Sequence, residues 1–149
     1  MVDSLTPEQR SAQMSRIRGA NTKLEVLVRK ALHSRGFRYR LGGAGLPGRP
    51  DIVLPKYRTV VFVHGCFWHG HSCPLYRLPK TRPDFWADKI SRNRERDARV
   101  EHELRVSGWR VLTIWECSLR NASEAMKTAV FDELAASIVD RTPWTNNED

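Results

Sequence analysis

Gly48-Arg49-Pro50-Asp51-Ile52-Val53-Leu54-Pro55-Lys56-Tyr57-Arg58-Thr59-Val60-Val61-Phe62-Val63-His64 is the stretch that decides the fold class. Pro50-Asp51 ends a loop rich in glycine and opens an apolar strand, Asp51–Leu54. Pro55–Arg58 turns the chain, and Thr59–Val63 is a second strand of β-branched and aromatic residues with no polar alternation. A strand apolar on both faces belongs in the middle of a sheet covered by helices on each side.

Elements of the other type flank this hairpin. Thr22-Lys23-Leu24-Glu25 is a capping box. It opens a helix with Leu24, Leu27, Val28, Ala31 and Leu32 on one face, stopped at Gly36. Phe37, Tyr39 and Leu41 alternate as a strand, and Gly42-Gly43-Ala44-Gly45 leads into the hairpin. Downstream, Asp84–Ser107 reads as a long charged helix ended by Gly108, and Trp109–Trp115 as another strand. Ser123–Val139 reads as a closing helix with Ala125, Met126, Ala129 and Val130 inward. The fold class is therefore α/β, a mixed central sheet flanked by helices. Three segments are expected: a basic arm over residues 1–20, a single domain over 21–141, and a loose tail over 142–149. The arm opens with Thr6-Pro7-Glu8-Gln9 as a helix start. It carries Arg10, Arg16 and Arg18 against only Met14 and Ile17, so its apolar face is too narrow to pack well on a core.

The chain has 149 residues, 25 Lys+Arg against 17 Asp+Glu, and a net charge of +8. Five Trp, five Phe and three Tyr argue against disorder and for one packed core. No apolar run nears the roughly 18 residues of a membrane span. Met1–Ser15 is polar, so a soluble, cytoplasmic protein without a secretory leader is expected. The positive excess suits a polyanionic partner. Three cysteines in such a compartment point away from a disulfide framework.

Cys66-x4-His71-x-Cys73 with the distant Cys117 supplies three sulfurs and one imidazole, a closed tetrahedral set suited to structural zinc. His64 or His69 could replace His71 on spacing alone. Asp51, at the mouth of its strand, suits a hard cation such as magnesium, an arrangement many restriction-type nucleases use. The alternative is an aspartate bonded to its own loop backbone. The next strand lacks the acid-x-Lys element of such enzymes, so a second protein ligand would be a backbone carbonyl, that of Val63. His64 and His69 flank Phe67-Trp68 and have the pKa range for proton transfer at a phosphodiester. Asp97 could orient one of them, although an acid among Arg94, Arg96 and Arg99 also suits a solvated salt-bridge face. Glu25 has its own structural explanation in the capping box. Phe67, Trp68, Phe85 and Trp86 suit core packing or, beside Lys80, Arg82 and Lys89, stacking on bases.

Taken together, Leu46–Asp51, Phe62–His69 with His71 and Cys73, Phe85-Trp86, Lys89-Ile90, Asn93, Arg96-Asp97, Gly108–Leu112 and Trp115–Cys117 resemble the very-short-patch repair (Vsr) DNA mismatch endonucleases. The likeness spans about Arg10 to Arg120. It implies a restriction-endonuclease-like fold with a structural zinc. It also implies a magnesium-dependent nick 5′ of the thymine in a T:G mismatch, the product of 5-methylcytosine deamination. By position, Asp51 would hold magnesium with the Val63 carbonyl, His69 would be the general base, Asp97 its support, His64 an aid at the scissile phosphate, and Glu25 the remaining acid. Cys66, His71, Cys73 and Cys117 match the zinc ligands. Phe67, Trp68 and Trp86 match an aromatic wedge beside the mismatch, and the arm around Met14 would lie on the duplex from the other groove. The implied partner is double-stranded DNA, bound by a monomer, with a functional link to a cytosine-5 DNA methyltransferase and a repair polymerase. Val63 departs from a threonine found in the family, which matters only if a hydroxyl is needed, and Gly70 interrupts a histidine run. Two other functions fit the same residues: a zinc-stabilised mismatch-binding module without catalysis, and a restriction-type nuclease on intact duplex.

Overall fold

The computed structural model describes residues 22–43, 45–73 and 77–144. The expected basic arm, Met14 included, lies outside them. Helix α1 (Lys23–Ser34) starts where the capping box predicts, with the Thr22 hydroxyl accepting the Glu25 amide at 3.2 Å. Strand β1 is short, Arg40–Leu41, followed by β2 (Ile52–Leu54), a 3₁₀ turn (Pro55–Tyr57) and β3 (Thr59–His64). The expected strand from Phe37 is thus only two residues long. Phe37 is buried in the core before it, so its apolar character comes from packing and not from strand pairing. Helix α2 (Pro83–Val106), strand β4 (Arg110–Trp115), a single turn α3 (Glu116–Leu119) and helix α4 (Glu124–Asp140) complete the order.

The sheet runs β1-β2-β3-β4. β1–β2 and β2–β3 are antiparallel, and β3–β4 is parallel over Thr59–Arg110 through His64–Trp115. β3 is the interior strand expected from its continuous apolar run. The parallel pair needs a crossover, which α2 supplies. Alternation divides the strands between two layers. Ile52, Leu54, Val61, Val63, Leu112 and Ile114 face α1 and α4, against Val28, Leu32, Phe131, Leu134 and Ile138. Val53, Val60, Phe62 and Val111 face Leu104 of α2. Each such side chain, when fully buried, contributes about 1.5–3 kcal/mol.

Two expectations are corrected. On α4 the inward face is Phe131, Leu134, Ser137 and Ile138, while Ala125, Met126 and Ala129 are exposed. Phe131, Leu134 and Ile138 recur at three- and four-residue spacing and choose the face, which leaves Ala125, Met126 and Ala129 outside it. The tail is not loose from Thr142. Trp144 is buried and its indole N–H donates to the Thr113 carbonyl at 2.7 Å. The Arg110 guanidinium bonds the Ser137 hydroxyl and the Thr142 carbonyl, at 2.7 and 2.6 Å. No helix among the described residues is long and apolar enough to cross a membrane.

Candidate active site and metal centre

β3 and β4 end side by side, and the chain leaving β3 folds into turns held by its own backbone. His69 N bonds Gly65 O at 3.3 Å, His71 N bonds Cys66 O at 3.0 Å, and Cys73 N bonds His71 O at 2.8 Å. Gly70 is in the left-handed region (φ 60°), and a Cβ there would lie 2.6 Å from Arg94 Cδ and 2.8 Å from Ile90 Cγ2. Only a glycine lets this loop sit on α2. The Asn93 side-chain amide then donates to the Trp68 carbonyl at 3.0 Å.

One cleft of about 1030 Å³ opens at this sheet end. Glu25, Asp51, Val63, His64, Phe67, Trp68, His69 and Asp97 all line it, so segments far apart in sequence meet. Asp51 sits just before β2, and its Oδ2 accepts the Val63 amide of β3 at 2.7 Å. Burial, reinforced by the Glu25 carboxylate, raises its pKa from 3.8 to about 6, against the lowering effect of the Val63 amide. Glu25 is buried and paired with Arg29 at 3.1 Å. It therefore serves both the helix start and the acidic wall of the cleft.

Asp97 Oδ2 lies 2.5 Å from His69 Nδ1, although α2 carries many charges that could have kept this acid in solvent. The carboxylate accepts, so Nδ1 carries the proton of this bond. His64 stacks flat on His69, with ring centroids 3.6 Å apart and planes 4° from parallel. Burial first, then His69 and Arg96, hold His64 well below the ordinary histidine pKa, so it is a neutral imidazole at neutral pH. Arg49, Arg94, Arg96 and Arg120 also line the cleft. Arg49 belongs to the basic approach to Asp51 and Arg94 and Arg96 to the basic flank of the aromatics, whereas Arg120 had no signal in the sequence beyond the general basic excess.

The sulfurs and imidazole fall together behind the cleft. Donor atoms of Cys66, His71, Cys73 and Cys117 all lie within 4.8 Å of one another and could hold a metal ion. Cys117 rides on the short α3, which the sequence did not reveal. His71 Nδ1 is 3.6 Å from Cys66 Sγ and 3.5 Å from Cys117 Sγ. A tetrahedral ion with ordinary Zn–S and Zn–N bond lengths has an S···N edge of about 3.5 Å, so the donors fit such an ion. Burial pushes the Cys66 and Cys117 thiols up, and a dication would reverse that. This geometry selects His71 over His64 and His69, which belong to the cleft. Trp115 stacks on His71 at 4.0 Å, and Glu116 Oε1 accepts the Cys66 amide at 3.2 Å.

At the cleft rim Phe67, Trp68 and Trp86 form an edge-to-face cluster with centroids 5.2–6.0 Å apart. Trp86 comes from α2 and does not line the cleft itself. Lys89 Nζ stands 5.8 Å from the Trp86 ring and Arg82 4.3 Å from the Phe85 ring.

A carboxylate held on the Val63 amide, an acid-held imidazole and arginines share one open cleft, a set of groups suited to hydrolysis of a phosphodiester. A family model described as DNA mismatch endonuclease Vsr matches residues 2–75. Among curated proteins, the chain is 50% identical over 134 residues to the type II nicking enzyme V.XorIIP of Xanthomonas oryzae, covering 89% of this chain and 98% of that protein. It is 52% identical over 121 residues to the type II nicking enzyme V.NmeAIP of Neisseria meningitidis, covering 81% and 86%. It is 42% identical over 134 residues to the DNA mismatch endonuclease Vsr of Escherichia coli, covering 90% and 86%. The chain belongs to the Vsr family.

Proposed function

We propose that this protein is a mismatch endonuclease that nicks one strand of duplex DNA 5′ of the thymine in a T:G pair, by magnesium-dependent hydrolysis, on a restriction-endonuclease-like fold. The His69–Asp97 pair beside Asp51 is the observation that carries this reading. The names of the relatives, nicking enzymes and a mismatch endonuclease, support it.

Asp51 and the Val63 carbonyl would hold magnesium, which when bound supplies charge neutralisation at the phosphate. His69, its Nδ1 proton fixed on Asp97, offers Nε2 to a water and takes up that water's proton as its oxygen bonds to phosphorus; the bond from phosphorus to the leaving sugar oxygen breaks, and that oxygen takes a proton from solvent. Asp97 stabilises the imidazolium so formed. His64, neutral and stacked on His69, leaves room for that one charge and can donate a hydrogen bond to a phosphate oxygen. Glu25, paired with Arg29, keeps the acidic wall one charge less negative. Phe67, Trp68 and Trp86 would insert beside the mismatch, where unstacking costs less than in paired DNA. Zinc on Cys66, His71, Cys73 and Cys117 would fasten the loop that carries His69 to the end of β4. The basic arm around Met14 would grip the duplex. The reading includes a monomer working in the cytoplasm downstream of a cytosine-5 methyltransferase, with a repair polymerase following.

Asp51→Ala tests the site. With magnesium it should leave a T:G duplex uncut while retaining full zinc content. A variant that nicks at the wild-type rate would remove Asp51 from the mechanism.

A further inference from the structure

One face of α2 touches two of the segments that build the cleft, the turn that carries Trp68, His69 and Gly70 and the loop before Asp51. Ile90 and Arg94 seat Gly70, Asn93 holds the Trp68 carbonyl, Asp97 holds His69, and Val100 meets Gly48. These positions fall on a single stripe of a 3.6-residue helix. The last contact is the tightest. Gly48 has φ 71°, and a Cβ there would lie 2.3 Å from Val100 Cγ1, 3.1 Å from Cγ2 and 3.2 Å from Cβ. Val100 cannot swing aside, because a β-branched side chain in a helix has essentially one rotamer. Gly48 is three residues before Asp51, and Val100 is one helical turn after Asp97.

We infer that Gly48 and Val100 are positioning residues: their contact sets the distance between Asp51 and the His69–Asp97 pair. The inference rests on the nicking reading and deepens it. The loop before Asp51 can reach its place only if its backbone lies directly on the Val100 methyls. Any side chain at 48 would lift the loop by an ångström or more and carry Asp51 away from His69. Neither side chain has a group that could take part in the reaction, so the effect of the contact is argued through the position of Asp51. A misplacement of about 1 Å at a reacting centre is worth on the order of 100-fold in rate.

The test compares wild type, G48A, V100A and G48A/V100A as full chains loaded with zinc, in single-turnover nicking of a T:G duplex with magnesium. DNA affinity is measured alongside without magnesium. G48A should lose about 10- to 100-fold in rate while DNA affinity changes less than about threefold. Removing the Val100 methyls should return most of that loss, with V100A alone reporting its own cost. Left-handed backbone strain at position 48 is equal in G48A and the double variant, so rescue isolates the contact. A double variant as slow as G48A, a G48A that nicks at the wild-type rate, or a loss confined to DNA affinity would overturn the inference. Should G48A fail to fold, V100A restoring both fold and nicking supports the contact, and a double variant that stays unfolded overturns it. If the wild type nicks no T:G duplex, the reaction is wrong and not the contact. Urea unfolding of the same four proteins then decides: a double variant more stable than the summed single losses keeps the contact, and additivity removes it.

Discussion

Replacing Asp51 by Asn should stabilise the magnesium-free protein while destroying its activity, and the gain should depend on pH. The Asp51 carboxyl has a pKa of about 6 in the folded protein against 3.8 ordinarily, chiefly from burial beside Glu25. A raised carboxyl pKa favours the folded state fully below pH 3.8, and that contribution is lost as pH rises through 6. Above pH 6 the ionised carboxylate is held at a cost. A shift of about two units corresponds to about 3 kcal/mol at most. Solvent reaching the open cleft reduces this to about 1–2 kcal/mol. Asn keeps an oxygen for the Val63 amide and carries no charge. Urea unfolding in chelator-treated buffer that leaves zinc in place, at pH 8 and at pH 5, measures the difference between variant and wild type. Asn should be more stable at pH 8 and keep only about half the advantage at pH 5. Magnesium should stabilise the wild type through mass action and leave the variant unchanged. An Asn variant less stable than wild type at pH 8, or a pH-independent difference, would refute the electrostatic reasoning.

Other perturbations separate the remaining parts. Asp97→Asn should lower the single-turnover nicking rate by about 100-fold or more, with DNA affinity little changed, because the amide no longer fixes the His69 tautomer; a near-normal rate would make the pair a plain salt bridge. Cys73→Ser should reduce zinc content, measured by release to a chromogenic chelator, and lower thermal stability. Retention of one full equivalent would exclude Cys73 from the metal set. Gly70→Ala should cost about 1–3 kcal/mol in urea unfolding, from left-handed strain and the approach to Ile90 and Arg94. An unaffected protein would show that the loop can lift off α2 freely.

The apolar run Thr59–Val63 places its own strand, since a segment without polar alternation has nowhere to go but the middle of a covered sheet. Cys66, His71, Cys73 and Cys117 were legible because soft donors rarely cluster by chance, yet only three-dimensional placement separates His71 from His64 and His69. Asp97 was legible only as one of two readings, an acid that orients a histidine or a solvated face among arginines, and the turn of the helix puts it on His69. Arg120 could not be distinguished from other arginines until the cleft brought it beside Arg49, Arg94 and Arg96. On α4 and at Trp144, burial follows side-chain volume in a shared core, which a short window of sequence does not contain.

A strand break directed by a mispair is the property that matters most. End-labelled T:G and T:A duplexes of identical sequence, in a panel of contexts, should be incubated with the zinc-loaded protein and magnesium and the cut mapped. A single nick 5′ of the thymine is expected in T:G duplexes of some context and none in the matched T:A duplexes. Equal cutting of both duplexes would make the protein a nuclease for intact DNA, and binding of T:G without any magnesium-dependent product would make it a recognition module; either result would overturn the proposed function.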